Sequence, residues 1–133
     1  MLGFLPRYGA ELFALMRIVI GFLFLWHGAE KLFGFPQSPP PGVPAFIIFI
    51  AGPIEFLGGI LVMIGLFTRP VAFLCSGLMA FAYWLAHGHK ALLPAMNGGE
   101  PAAVYCFVFL FIAAHGSGIW SVDAARAGSV RPA

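Results

Sequence analysis

The sequence predicts an all-α integral membrane protein, a four-helix up-down bundle, and three observations carry that prediction. The chain of 133 residues has only 9% charged residues and a mean hydropathy of +0.95, where a soluble domain carries roughly 25% charge. Four apolar stretches, at about 11–29, 45–66, 70–87 and 101–120, each approach the ~20 residues that a helix needs to cross a bilayer. The joints between them are rich in proline and glycine, and consecutive helices joined in this way pack as antiparallel neighbours. Length and composition predict a single transmembrane domain over 1–133, with the lipid bilayer as its surroundings.

The first span, 11–29, holds Arg17 in its middle and Trp26 as an interfacial anchor, and Lys31 just beyond it can snorkel toward water. An apolar run after Arg7 has the outline of a signal peptide. Arg17 interrupts it, and nothing like A-x-A follows, so a retained span is expected. Loop 34–44, GFPQSPPPGVP, has five prolines and cannot be helical. The second span, 45–66, carries Glu55, and Gly52, Glu55 and Gly59 share one face by their i, i+3, i+7 spacing. That face packs against other helices, since glycine lets backbones approach closely. Residues 67–70, FTRP, read as a tight turn with Pro70 opening the third span, which ends in Tyr83, Trp84 and His87. Loop 88–100 follows, with a short apolar piece suited to the membrane interface, then the fourth span and a polar tail at 121–133.

Arg7, Arg69, Arg126 and Arg131 fall on the side of the termini, against Lys31 and Lys90 on the other, which predicts both termini to be cytoplasmic. Cys75 and Cys106 are expected near the starts of their own antiparallel helices, ~15 Å apart and too distant to bridge. Three His-Gly pairs, at 27–28, 87–88 and 115–116, read as helix ends.

Two charges are set deep in apolar stretches. A carboxylate at mid-span costs roughly 2.5–3.5 kcal/mol on insertion scales, so Glu55 needs a cation, a proton or a wet cavity. Arg17 is the expected partner. The pair serves either as a device fixing the register of the first two helices or as the floor of a polar pocket where Glu55 takes a proton or holds a ligand. His27, Glu30, Lys31, His87, His89, Asn97 and Glu100 gather on the loop side, but H-x-H across a helix end has no defined geometry, and no metal site is assigned. No nucleotide or H-E-x-x-H motif occurs, the histidines lie at opposite ends for a haem, and no basic stripe suits nucleic acid. The 15 Phe, 3 Trp and 3 Tyr mostly face lipid or core. A quinone would need such walls with a few polar groups, which Tyr83, Trp84, Tyr105 and Glu55 supply.

Arg17…Gly21…Trp26-His27-Gly28…Lys31-Leu32-Phe33-Gly34 resembles the opening of the DoxX family. So do Gly52-Pro53-Ile54-Glu55-Phe56-Leu57-Gly58-Gly59, Gly65-Leu66-Phe67-Thr68-Arg69, Asn97-Gly98-Gly99-Glu100…Tyr105 and Gly116-Ser117-Gly118…Ser121-Val122-Asp123. The resemblance runs from about 11 to 123. It implies a multi-pass protein of the bacterial inner membrane, with relatives that serve thiosulfate:quinone oxidoreductases or oxidative-stress systems. Arg17, Glu55, Asn97 and Glu100 match the polar positions of the family pattern.

The leading expectation is a quinone-interacting or accessory subunit of a membrane redox system, an oxidoreductase only together with a partner protein that supplies electrons. Glu55 and Glu100 would handle protons, Arg17 would hold Glu55 ionised or orient a carbonyl, and Tyr83, Trp84, Asn97 and Tyr105 would complete the binding site. The alternatives are a non-catalytic protein that binds or transports a small lipophile, and a scaffold or homo-oligomer packing through its glycine-rich faces.

Overall fold

A computed structural model describes residues 2–129, and among the described residues there is helix and loop but no strand. Arg131, counted above on the terminal side, lies outside the described residues. A 3-10 turn (Leu5–Tyr8) leads into α1 (Gly9–Phe33), whose 25 residues give a rod of ~37 Å. It ends at Gly34, in the left-handed region at φ 66°, whose N–H donates to Glu30 O at 3.1 Å. Helix α1 therefore runs straight through His27-Gly28. That pair marks no helix end, and Lys31 lies inside the helix rather than beyond it.

The chain returns through the proline-rich loop and re-enters as a π-helical turn, Ile47–Ala51, continuous with α2 (Gly52–Ile64). Pro53 explains the wide turn: its ring has no N–H and crowds the carbonyl four residues back, so the backbone loosens just ahead of it. Gly65, at φ 71°, closes α2. After two residues comes α3 (Thr68–Ala82), which widens into a second π-helical turn, Tyr83–His87. A short α4 (Pro94–Asn97) precedes α5 (Glu100–His115), and α6 (Val122–Ser129) follows where a polar tail was expected.

Leu5–Phe33, Ile47–Ile64 and Thr68–His87 are each long and apolar enough to cross a membrane. The fourth apolar helix is shorter than the expected 101–120. It spans 16 residues, ~24 Å, and stops at His115, where Gly116 takes φ 100°. Arg69 closes that end from α3, donating to the carbonyls of Ala113, Ala114 and His115 at 3.1, 2.6 and 3.3 Å. Large apolar side chains such as Phe22, Leu57, Phe73 and Phe107 point outward from all four long helices. In water so much exposed apolar surface would drive association; in a bilayer it is what the solvent requires.

The bundle consists of two antiparallel pairs, α1 on α2 and α3 on α5. The first pair is in backbone contact. A Cβ on Gly21 would lie 2.6 Å from Gly59 O, one on Gly59 2.7 Å from Leu25 N, and one on Gly28 2.7 Å from Gly52 O. Gly52 and Gly59 thus do face α1, with Glu55 between them. Phe24, Val62, Ala72, Cys75, Phe109 and Ile112 form the core where the pairs meet.

Polar side chains lock the end that carries the termini. Arg17, fully buried, donates to Val62 O and Met63 O at the end of α2 and to Ile119 O and Trp120 O beyond α5, at 2.8, 2.7, 3.3 and 2.7 Å. Asp123 reaches back to the start of α3 and accepts from Phe67 N, Thr68 N and Thr68 Oγ1 at 3.0, 2.9 and 2.8 Å. It is an N-cap supplied from 55 residues away. Burial alone would raise the Asp123 carboxyl. The donors from Thr68 and Phe67 and the charge of Arg126 outweigh that and hold it below the ordinary carboxylate range.

Candidate functional site

Toward the loop end the two helix pairs part around a cavity of about 490 Å³. Phe24, His27 and Lys31 of α1 and the stretch from Phe46 to Glu55 form one side; Leu78, Met79, Phe81 and Leu85 to His87 form the other. Pro101, Ala102 and Tyr105 of α5 close it. Both π-helical turns lie in its wall, a form of helix that recurs at functional sites.

Glu55 sits just after the junction of the π-helical turn with α2, well inside one continuous helical run, and only 3% of it is exposed. Its Oε2 lies 2.6 Å from Lys31 Nζ. Lys31 also donates to His27 O at 3.3 Å, which occupies two of its three N–H groups. Among the described residues Glu55 Oε1 and the Tyr105 hydroxyl have no hydrogen-bond partner, and both side chains line the cavity. An apolar chamber thus presents a net-neutral ion pair with a spare donor and a spare acceptor.

The expected Arg17–Glu55 contact does not form. Arg17 faces Val62 and Met63, and Glu55 lies eight residues earlier on α2, ~12 Å away along the axis. The guanidinium is spent on four backbone carbonyls instead. Lys31, two residues before the end of α1, stands opposite Glu55 because α1 is longer than the apolar run that betrays it. The missed partner did leave a trace: Arg17, Gly21, Gly28 and Lys31 recur at helical spacings of 4, 7 and 3, a single stripe facing α2.

The remaining candidates separate. Tyr105 lines the cavity beside Glu55. Tyr83 and Trp84 line instead a shallower groove of about 320 Å³ with Ala80, Ala103, Cys106 and Phe107. Asn97 is buried and structural in its contacts: Nδ2 donates to Tyr83 Oη and Ala91 O, both at 3.1 Å, and Oδ1 accepts from Gly99 N at 2.7 Å. Its own carbonyl lies 3.0 Å from His87 Nδ1. Glu100 is exposed at the start of α5, outside the cavity wall.

Cys75 and Cys106 are both free, and they lie at one level rather than on opposite sides. Ser76 Oγ donates to Cys106 O at 2.7 Å, whereas Cys75 Sγ points at Gly58 of α2, so the two thiols face different helices. Among the described residues no three His, Cys, Asp or Glu side chains converge as a metal site would require.

The family model for DoxX matches residues 12–88, which include Arg17, Lys31 and Glu55. An uncharacterized protein of Haemophilus influenzae is 38% identical over 125 residues, covering 90% of this chain and 93% of its own. A Bacillus subtilis protein named "Putative oxidoreductase CatD" is 36% identical over 113 residues, 82% of each chain. No solved structure matches at a significant level.

Proposed function

The chain belongs to the DoxX family of membrane proteins, and from that premise we propose that it is the quinone-interacting subunit of a membrane redox system. The observation that carries the reading is the apolar cavity with the Lys31–Glu55 pair in its wall. Its volume, flat aromatic and aliphatic lining and spare polar groups fit a quinone ring, whose carbonyls need a donor and whose faces need apolar contact. The oxidoreductase name of the Bacillus relative supports the redox side of the proposal.

In this reading the spare N–H of Lys31 donates to a ring oxygen, and Glu55, through its free Oε1, passes a proton to or from that oxygen. Tyr105 orients the ring and Phe24 excludes water from its face. A bound quinone supplies a two-electron, two-proton acceptor, and in this reading the electrons come from a partner protein. We place the protein in a bacterial inner membrane with both termini cytoplasmic, which puts the cavity toward the opposite face.

The test is mass spectrometry of the organic extract of gently purified protein, wild type against Glu55→Gln. A quinone retained by the wild type and lost from the folded variant supports the proposal. A different lipophile lost in the same way moves the reading to binding or transport. An empty extract from folded wild type overturns it and leaves Lys31–Glu55 as a register device in a scaffold.

A further inference from the structure

His87 stands in the cavity wall across from the ion pair, on the second π-helical turn. Its Nδ1 is 3.0 Å from Asn97 O, and a backbone carbonyl only accepts, so Nδ1 carries a proton and Nε2 is the nitrogen left free. Asn97 cannot drift, because it is 4% exposed and held through Tyr83, Ala91 and Gly99. A buried, fully hydrogen-bonded residue that fixes both the tautomer and the position of a histidine in a cavity wall is the support a binding group needs. The rest of the lining is mostly apolar, with Phe24, Ile47, Ile50, Leu78, Met79 and Phe81, and His27 and Tyr105, ring against ring, are its other polar side chains.

Resting on the function proposed above, we infer that the cavity grips its ligand at both ends. Lys31–Glu55 takes one ring oxygen and His87 the other, so the site selects a flat, neutral ring with two opposed oxygens. In the neutral tautomer Nε2 accepts from a ring hydroxyl, so His87 favours the quinol over the quinone, while at the near oxygen Lys31 donates to a carbonyl or a hydroxyl alike and Glu55 Oε1 accepts from the hydroxyl of the quinol. The neutral ion pair argues against lipophilic anions. A carboxylate would have to displace Glu55 from Lys31 at 2.6 Å and leave one of the two carboxylates unpaired in an apolar wall.

Full-length protein in nanodiscs is titrated with three probes. These are an alkylated para-benzoquinol, the matching phenol, whose one ring oxygen can meet only one station at a time, and palmitate. Wild type is expected to prefer the quinol over the phenol by about fivefold to tenfold, the weight of one hydrogen bond. His87→Leu should bring that ratio close to one, and His87→Gln, whose amide oxygen can accept, should restore part of it. Glu55→Gln should weaken both rings together and leave the ratio. An unchanged ratio in His87→Leu, with wild-type-like binding of the phenol, refutes the role of His87 while sparing the parent reading. Palmitate binding as tightly as the quinol refutes the neutral class. A wild type that binds neither ring overturns both.

Discussion

Lys31 Nζ meets Glu55 Oε2 at 2.6 Å across an interface where the backbones of α1 and α2 touch. Each feature supports the other. Glycines at 21, 28 and 59 bring the helices close enough for a lysine to reach a carboxylate buried on the opposite helix. The pair in turn permits one register, since a slip of one residue would turn Glu55 away from the stripe that carries Lys31. The buried charge is offset inside the first helical pair, before α3 and α5 add the far wall of the cavity.

Removing one member of this pair should cost more than removing both. Lys31→Met leaves Glu55 ionised and unpartnered, or forces it to take up a proton, and a loss of about 3 kcal/mol is expected, the lower end of the range for buried pairs because Lys31 is 21% exposed. Lys31→Met with Glu55→Met exchanges the pair for apolar contact and should recover most of it. Detergent-solubilised unfolding curves for the three variants check the order. A double variant less stable than Lys31→Met would contradict it.

Side chains at the helix contact should be refused in proportion to how hard they meet backbone. A Cβ on Gly59 would lie 2.7 Å from Leu25 N and 2.8 Å from Gly21 O, neither of which can rotate away. Gly59→Ala is therefore expected to separate α1 from α2, lengthen the Lys31–Glu55 distance and lower the melting temperature by several degrees. Gly77→Ala meets nothing within 4 Å and should raise helix stability slightly, by up to about 1 kcal/mol. Thermal melts of the two alanine variants give the comparison, and equal effects would contradict the close-contact account.

Much of this architecture is visible in the residues themselves. Hydropathy marks the spans, and the i, i+3, i+7 spacing of Gly52, Glu55 and Gly59 correctly puts the acid on the face toward α1. The expected pairing with Arg17 fails because an apolar run reports where a helix meets lipid and not where it ends. Helix α1 continues through His27-Gly28 to Phe33, and that extension places Lys31, rather than Arg17, opposite Glu55. The end of α5 departs from the expected span for the opposite reason. Residues 116–120 are apolar enough to extend a span, yet Gly116 at φ 100° and the three carbonyl contacts of Arg69 terminate the helix, and no local sequence window contains Arg69. Tyr83 and Trp84 have the chemistry of a ligand wall but fall on the turn face that points to the second groove.

Asp123 gives stability a dependence on acid. Its carboxyl is held below the ordinary value of 3.8 in the folded protein, through donors that need the ionised form. Its contribution is therefore complete above that ordinary value and fades as pH falls through the lowered folded value. Melting temperatures of wild type should drop on acidification below about pH 4, and Asp123→Asn, less stable at neutral pH, should lose that part of the drop. Parallel curves for the two proteins across the acid range would remove Asp123 as the cause.

Arg17 offers the sharpest separation of structural from ligand-binding roles. Its four carbonyl acceptors close the end of α2 and hold the segment that delivers Asp123 to α3. Hydrogen bonds from a charged donor contribute roughly 1.5–3 kcal/mol each but do not add, so Arg17→Leu should cost at least ~3 kcal/mol and expose α6 to proteolysis. Arg17→Lys keeps the charge but loses the planar fork that spans two pairs of carbonyls, and an intermediate loss is expected. Helix α2 carries Arg17's contacts ~12 Å from Glu55, so the folded fraction of Arg17→Lys should retain the wild-type lipophile in full. Limited proteolysis and extract mass spectrometry on the same sample read both effects. A stable Arg17→Lys that has lost the lipophile would return Arg17 to the binding site and remove it from the lock.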